Sequence, residues 1–251
     1  MDKGANPTDE HGNPIAVADY DLWRALLIKR IGYYCAYCNM PLSHSLQVEH
    51  VVPKDPPAGY TPGDPLAWGN MLLACGPCNR AKWNTPIDFA DYYFPEENNT
   101  LLAFEIAIDP ANTDAALVRP VGQLTPEQLT RARRTIELLK LDVIDRRQKV
   151  VDIRWKKRRR AINAVEAVYQ LYRQAQHSPD YAATEAARYV AECAEVTGFF
   201  GLWFAKFRGE PSVIRELINP AIIPGTDQAC FDAANNYSLV PKNPHVAADP
   251  I

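Results

Sequence analysis

The sequence predicts an α+β, mostly α-helical protein in which a small N-terminal core precedes a helical C-terminal part. Three observations support this prediction: apolar residues recur at helical spacing in several segments, two cysteine pairs frame a Pro-rich stretch, and one long helical stretch carries many cations. Of 251 residues, 47% are hydrophobic and 23% are charged, ordinary globular values that argue against a disordered, collagen-like or coiled-coil chain.

The sequence shows no sign of membrane insertion or export. No apolar run approaches the roughly 18 residues that a membrane span needs. The polar, acidic N-terminal stretch lacks the apolar core of a signal peptide. We therefore expect a cytoplasmic protein without a membrane partner.

Residues 1–32 combine a polar lead-in with one helix. From Asp19 to Ile31 the apolar residues recur at steps of three and four, which is the pattern of an amphipathic helix. Residues 33–95 hold the cysteine pairs and five prolines between Pro53 and Pro65. That composition predicts short strands and loops held by something other than a large core.

Residues 96–251 are predicted to be mainly helical. After a strand-like run at Leu101–Ile108, Thr125 and Pro126 combine a capping hydroxyl with proline at the first helical position, a strong helix start. Helical character then extends to about Gln176. We predict a break near Leu141-Asp142 and further helices at 181–196 and 212–218.

The net charge of −3 hides a strongly basic segment. Residues 126–160 contain 13 Lys and Arg against 5 Asp and Glu, including Arg146, Arg147 and Lys149. Such asymmetry indicates a surface that faces a polyanion. The basic helix 126–176 is therefore predicted to contact nucleic-acid phosphates, rather than to be a solvated face or a docking surface for an acidic partner. The expected contacts on it are Arg154, Lys156, Lys157, Arg158, Arg159 and Arg160.

Four of the six cysteines form two C-x-x-C pairs with 36 residues between them: Cys35 with Cys38, and Cys75 with Cys78. Each pair offers two thiolates from one turn, and two pairs complete the tetrahedral sulfur set that zinc prefers. A thioredoxin-like redox pair would use one C-x-x-C in a βαβ context, and disulfides are disfavoured in a reducing cytosol. We expect one structural zinc ion.

The stretch between and after the pairs carries a further pattern. Glu49-His50 precedes Val51-Val52-Pro53, Asn70 precedes an apolar strand, and Asn79 follows the last cysteine. This order resembles the HNH endonucleases, the ββα-metal or His-Me finger nucleases, in their zinc-braced form. The resemblance covers about residues 33–83 and implies a small zinc-braced ββα-metal nuclease core ahead of the helical part.

The resemblance implies a role for each of these side chains. His50 would be the general base, Glu49 and Asn79 the ligands of a catalytic Mg²⁺ or Mn²⁺, and Asn70 the residue that fixes the loop orienting His50. Phosphodiester cleavage needs a deprotonated water and a cation, which suits a neutral histidine and oxygen ligands. Glu49 stands where the family commonly has Asp, and Asn79 where many members have His. Three flanking cations are candidate phosphate contacts: Lys54, Arg80 and Lys82.

Looser motifs extend the resemblance along the chain. Trp68–Cys75, Asn79–Lys82 and Thr135–Leu141 look like the PtuB nucleases of Septu-type and retron-associated anti-phage systems. That similarity implies a PtuA-like partner, an ATPase related to ABC and SMC proteins, which controls the nuclease. The sequence thus favours a metal-dependent endonuclease acting on nucleic acid, with DNA expected. A non-catalytic zinc-knuckle binding module and a scaffold subunit stay open as alternatives.

Overall fold

The computed structural model describes residues 1–42, 44–144, 152–242, 249 and 251, and it confirms an α+β fold in which a small ββα unit precedes a mostly helical part. A 3-10 turn at Tyr20–Trp23, capped by the Asp19 carboxylate, leads into α1 (Arg24–Ile31). Residues at helical spacing bury one face of this segment: Trp23, Leu27 and Ile31. The predicted helix over 19–31 is therefore present.

The cysteine-rich segment folds as two strands and a helix. β1 (Gln47–His50) pairs antiparallel with β2 (Met71–Ala74), and α2 (Gly76–Lys82) follows directly. All four residues of β2 are buried, so this strand anchors the hairpin to the core. α2 begins after Cys75, whose Sγ accepts a hydrogen bond from the Cys78 N–H at 3.5 Å.

A second hairpin follows, formed by β3 (Phe104–Asp109) and β4 (Asn112–Pro120). The sequence predicts only its first strand, at 101–108. β4 escapes prediction because it opens with the polar residues 112–114 and continues with Ala115 and Ala116, which have low strand propensity.

Five helices and a short ladder complete the described chain: α3 (Pro126–Leu139), α4 (Arg154–Ala175), α5 (Ala183–Thr197), α6 (Phe200–Lys206), α7 (Pro211–Leu217), β5 (Phe231–Asp232) and β6 (Ser238–Leu239). Thr125 and Gln128 form a capping box at the start of α3, and Lys140 ends it in a left-handed conformation. The helical stretch predicted over 126–176 is thus two helices. Arg146, Arg147 and Lys149 lie outside the described residues.

The four paired cysteines are buried at the junction between the ββα unit and the rest of the chain. They pack in one cluster with Val118 of β4, Ile136 and Leu139 of α3, and Ala161 of α4. The two parts therefore share a core at this point. In the described ranges, no helix combines the length and the apolar composition that crossing a bilayer requires.

Candidate active site and metal centre

The four cysteines predicted as zinc ligands converge on one point. Their Sγ atoms all lie within 4.8 Å of one another, and all four side chains are buried. In a tetrahedron with metal–sulfur bonds of about 2.3 Å, the sulfur atoms stand about 3.8 Å apart. The Sγ atoms of Cys38 and Cys75 are 3.8 Å apart. The donor set and the spacing therefore fit a single tetrahedral metal ion.

The sulfur atoms of this centre influence one another. Hydrogen bonds to neighbouring thiols, of which Cys35 contributes most, lower the pKa of Cys38 well below its ordinary value. Burial raises the pKa of Cys78. A cluster of this kind releases its remaining protons when a metal ion binds, because only thiolates are ligands.

Arg154, in the first turn of α4, contacts the centre directly. Its Nη1 donates to Cys78 Sγ at 2.9 Å and to the Leu139 carbonyl at 2.9 Å, and its Nη2 donates to the Lys140 carbonyl at 3.0 Å. Asp152 accepts from Nε and Nη2 of the same guanidinium. Arg154 is only 1% exposed and so joins a cysteine of the centre to the end of α3.

Arg158 lies one helical turn further along α4 and is buried as well. It donates to the Ala116 carbonyl at 3.1 Å and to the Leu141 carbonyl at 2.7 Å. Burial lowers the pKa of Arg158 to about 10, so it stays cationic at neutral pH. Four thiolates around a divalent ion would keep excess negative charge, and the buried cations Arg154 and Arg158 would balance it.

His50 ends β1 and is half-buried. Its Nε2 lies 3.1 Å from the Pro65 carbonyl oxygen. A carbonyl oxygen only accepts, so Nε2 carries the proton of the neutral ring and Nδ1 presents its lone pair. Burial lowers the pKa of His50 below its ordinary 6.5, which keeps the ring neutral at neutral pH. The Tyr20 ring packs edge-to-face on the imidazole, with centroids 4.7 Å apart.

Asn70 holds the loop between β1 and β2. Its Oδ1 accepts from the Val52 N–H at 2.7 Å, while its Nδ2 donates to the Val52 and Asp64 carbonyls at 2.9 and 3.0 Å. Gly63 is needed here, because a Cβ would lie 2.3 Å from the Val52 oxygen. This clamp fixes the backbone just before Pro65, whose carbonyl orients the histidine.

Glu49 points into the core and forms an ion pair with Lys82. The Oε1 atom of Glu49 lies 2.6 Å from Lys82 Nζ, and the two side chains are 2% and 0% exposed. The Oε2 atom accepts from the Tyr37 hydroxyl, and Lys82 Nζ also donates to the His50 carbonyl at 2.8 Å. Burial raises the pKa of Glu49, although Lys82 and Tyr37 oppose the shift. Both carboxylate oxygens have a partner and the side chain is buried, so a metal ion would reach Glu49 only if this pair opened.

Asn79 lies on α2 and faces β1. Its Nδ2 donates to Gln47 Oε1 at 2.9 Å, which leaves Oδ1 as the atom suited to a hard divalent ion. Successive side chains of a strand point to opposite faces. Gln47 and Glu49 thus share the face toward α2, and His50 points to the other face. The structure brings the two predicted ligands to one side of β1 and the predicted base to the other.

The cations predicted to contact nucleic acid divide into buried and exposed groups. Three are buried with partners inside the protein and do not fit a phosphate contact: Lys82, Arg154 and Arg158. The others are exposed or half-buried: Lys54, Arg80, Lys156, Lys157, Arg159 and Arg160. Lys54 Nζ lies 5.1 Å from the centroid of the Tyr20 ring, which packs on His50. Arg159 donates to the Thr113 carbonyl.

Two aromatic residues of the site have no counterpart in the sequence prediction. Tyr37 lies inside the first C-x-x-C and binds Glu49, and Tyr20 lies just before α1 and packs on His50. Both contacts join residues that are distant in the chain, so no local sequence pattern predicts them. A tyrosine beside a helical apolar stripe or within a cysteine turn is typical of ordinary core packing.

Comparison with known proteins agrees with this geometry over one part of the chain. Residues 35–85 match the family model for HNH endonuclease, and they contain the ββα unit and both cysteine pairs. The CRISPR-associated endonuclease Cas9 of Corynebacterium diphtheriae is 37% identical over 67 residues, which are 26% of this chain and 6% of that protein. Cas9 of Actinomyces naeslundii is 33% identical over 78 residues, 31% of this chain and 7% of its own length. No solved structure is significantly similar to the chain.

Proposed function

Because residues 35–85 carry an HNH endonuclease domain, we propose that this chain hydrolyses phosphodiester bonds of nucleic acid as a metal-dependent endonuclease. The placement of His50 carries the proposal. Its imidazole is neutral, its Nε2 is bound to the Pro65 carbonyl, and its Nδ1 presents a lone pair at the end of β1. A base in this state is suited to deprotonate a water molecule that attacks phosphorus.

Contacts from three elements hold this base in place. Tyr20 packs on the ring, Asn70 clamps the loop that supplies the Pro65 carbonyl, and Lys82 donates to the His50 backbone. In the proposed reaction Nδ1 takes a proton from the water, the water oxygen bonds to phosphorus, and the bond to the leaving sugar oxygen breaks. Restraint of the imidazole matters because small displacements of a catalytic group reduce the rate steeply.

A catalytic Mg²⁺ or Mn²⁺ would stabilise the charge that develops on the leaving oxygen. Asn79 is the proposed protein ligand, since its Oδ1 is not used in the contact with Gln47. Because Asn79 lies on the α2 side of β1 and His50 faces the other side, Asn79 would have to shift toward the end of the strand to hold an ion at the phosphate that His50 serves. Glu49 serves as the counterion of Lys82 and would become a ligand only by giving up that pair. The metal of the cysteine centre is proposed to be zinc, in a closed and therefore structural site.

The exposed cations supply the proposed nucleic-acid surface. One group lies near the ββα unit, with Lys54 in the loop after His50 and Arg80 on α2. A second group consists of exposed cations of α4: Lys156, Lys157 and Arg160. Contacts of this kind bind phosphates and give affinity without sequence specificity. DNA is the proposed substrate, and RNA is the alternative that the assay below distinguishes.

A cleavage assay tests the proposal. Supercoiled plasmid, single-stranded DNA and tRNA are incubated with the purified chain in Mg²⁺, Mn²⁺ or EDTA. His50→Ala is expected to lower the cleavage rate by about 10²–10⁴-fold. The matched control is His44→Ala, which removes an exposed histidine outside the motif and should leave the rate unchanged. Cleavage by His50→Ala at the wild-type rate would overturn the assignment, and binding without cleavage would favour a non-catalytic module.

The resemblance to PtuB nucleases supports a finer proposal, that the chain is an effector of bacterial anti-phage defence under the control of an ABC- or SMC-like ATPase. The assay is therefore repeated with the product of the neighbouring gene and with ATP or a non-hydrolysable analogue. Co-purification and nucleotide-dependent cleavage are the expected results. Cleavage at the same rate with and without the neighbouring protein and the nucleotide would rule out regulation by such an ATPase.

A further inference from the structure

Trp83, the residue directly after α2, has a backbone conformation that tryptophan rarely adopts. Its φ is 49° and its ψ is −134°. Residues with a Cβ avoid this combination because the side chain collides with the backbone, and glycine is its usual occupant. The folded chain is therefore strained at Trp83.

The indole of Trp83 lies mostly in solvent. It is 72% exposed, and no aromatic ring or cation pairs with it in the part of the chain that the structure describes. The backbone N–H of Trp83 donates to the Asn79 carbonyl at 2.9 Å and closes the last turn of α2. Glycine would make that bond without strain. A strained, exposed aromatic residue is the pattern expected of a side chain that serves a ligand.

Trp83 is connected to the candidate active site through its neighbour in the chain, Lys82. The residue before it, Lys82, donates to the His50 carbonyl at 2.8 Å. Arg80 is exposed on the same helix, and Lys54 is exposed in the loop after His50. The end of α2 thus combines an aromatic face and a cation with the residue that binds the backbone of the proposed base.

We infer that Trp83 stacks on an unpaired base of the substrate, beside the phosphate that is presented to His50. The inference rests on the proposed function and specifies its substrate class as single-stranded or locally unpaired nucleic acid. Bases inside a duplex have both faces covered by their neighbours, whereas an unpaired base offers a free face to an indole. The exposed cation Arg80 on the same helix favours a polyanion over an apolar protein surface.

Thermal unfolding tests the strain. Trp83→Gly is expected to raise the melting temperature by about 2–4 °C, because glycine adopts this conformation freely. The matched control is Tyr189→Ala, which removes an exposed aromatic ring (59%) from the regular helix α5 and should change the melting temperature little. A lower melting temperature, or failure to fold, would make the indole structural and overturn the inference.

Binding tests the ligand. Affinities for a labelled single-stranded oligonucleotide and for its duplex are measured in a His50→Ala background with Mg²⁺, so that cleavage does not interfere. Trp83→Gly is expected to weaken single-strand binding by about 5- to 150-fold, the effect of one stacked base. Trp83→Phe should retain most of the affinity, and duplex binding and Tyr189→Ala should show no change. Equal single-strand affinity with and without the ring would overturn the inference.

Fluorescence gives an independent readout. Stacking on a base should quench Trp83 emission, while Trp23, Trp68 and Trp203 are buried and respond little to a ligand. The fifth tryptophan, Trp155, is half-buried beside Lys156 of α4, so the measurement is made in a Trp155→Phe background. In that background, quenching that persists after Trp83→Phe would overturn the inference. A different result would refute the proposed function, namely undiminished cleavage by His50→Ala. The two failures can be told apart because the affinity and fluorescence measurements require no cleavage.

Discussion

Replacement of Lys82 by methionine tests what the buried ion pair contributes. Lys82 Nζ lies 2.6 Å from Glu49 Oε1 with both side chains almost wholly buried, and it also binds the His50 carbonyl. Lys82→Met keeps the length of the side chain but leaves the Glu49 carboxylate without a cation. The double variant Glu49→Gln/Lys82→Met removes both charges and is the matched control.

The magnitude follows from the burial of the pair. Removing one partner of a buried ion pair costs about 3–5 kcal/mol, whereas replacing both partners by neutral groups is often nearly neutral. For a chain of this size 1 kcal/mol corresponds to about 2–4 °C, so Lys82→Met should melt about 6–20 °C lower. The double variant should recover most of that loss.

The loss depends on pH in a defined direction. Burial raises the pKa of Glu49, and Lys82 is the largest influence that opposes the shift. A carboxyl whose folded pKa exceeds its unfolded pKa stabilises the fold below the unfolded pKa, and this stabilisation disappears as pH rises through the folded pKa. Lys82→Met should therefore be least stable at neutral pH and recover toward pH 4.5, the ordinary pKa of the group.

Calorimetry at both pH values, with and without Mg²⁺, measures the melting temperatures that test this prediction. Equal melting temperatures for wild type and Lys82→Met at neutral pH would refute the reasoning. If Glu49 is only a counterion, Mg²⁺ shifts both proteins alike. A larger Mg²⁺-dependent shift in Lys82→Met would show that the freed carboxylate binds the metal, and would restore Glu49 as a ligand.

Three further predictions concern the metal centre and α4. Elemental analysis should find one zinc ion per chain. Cys75→Ser should lose the zinc and unfold, because the free energy of zinc binding contributes to the free energy of folding. A folded protein that contains no zinc and resists chelators would contradict this prediction. Arg154→Met should lower zinc affinity by about 10–100-fold in a competition assay with a chelating dye, while the exposed control Arg160→Met should not. Charge reversal of three exposed cations of α4 should weaken DNA binding: Lys156, Lys157 and Arg160. The slope of log affinity against log salt concentration should become shallower by up to about 2.7 units, and no change is expected if these residues face a protein instead.

The sequence reveals the residues whose roles depend on local spacing. The cysteine pairs can be found because the two thiolates that one turn presents are separated by two residues, and His50 is a candidate base because it ends a short strand beside them. The roles of Arg154 and Arg158 depend on which face of α4 is buried. They share one stripe with Ala161 and Val165, at steps of three and four, but a hydrophobic pattern counts arginine as polar. The burial of Lys82 has no local signal, because only the packing of α2 against β1 decides it.

α2 links the metal centre to the proposed base. Cys78 in its first turn is one of the four clustered cysteines and accepts from Arg154, and Lys82 one turn later contacts Glu49 and the His50 carbonyl. A shift of Cys78 therefore moves the anchor of His50 on one side and the start of α4 on the other. If the exposed cations of α4 contact nucleic acid as proposed, the position of that surface relative to His50 depends on the packing around the four cysteines. A ββα unit separated from α4 would lose Arg154, which donates to Cys78 Sγ.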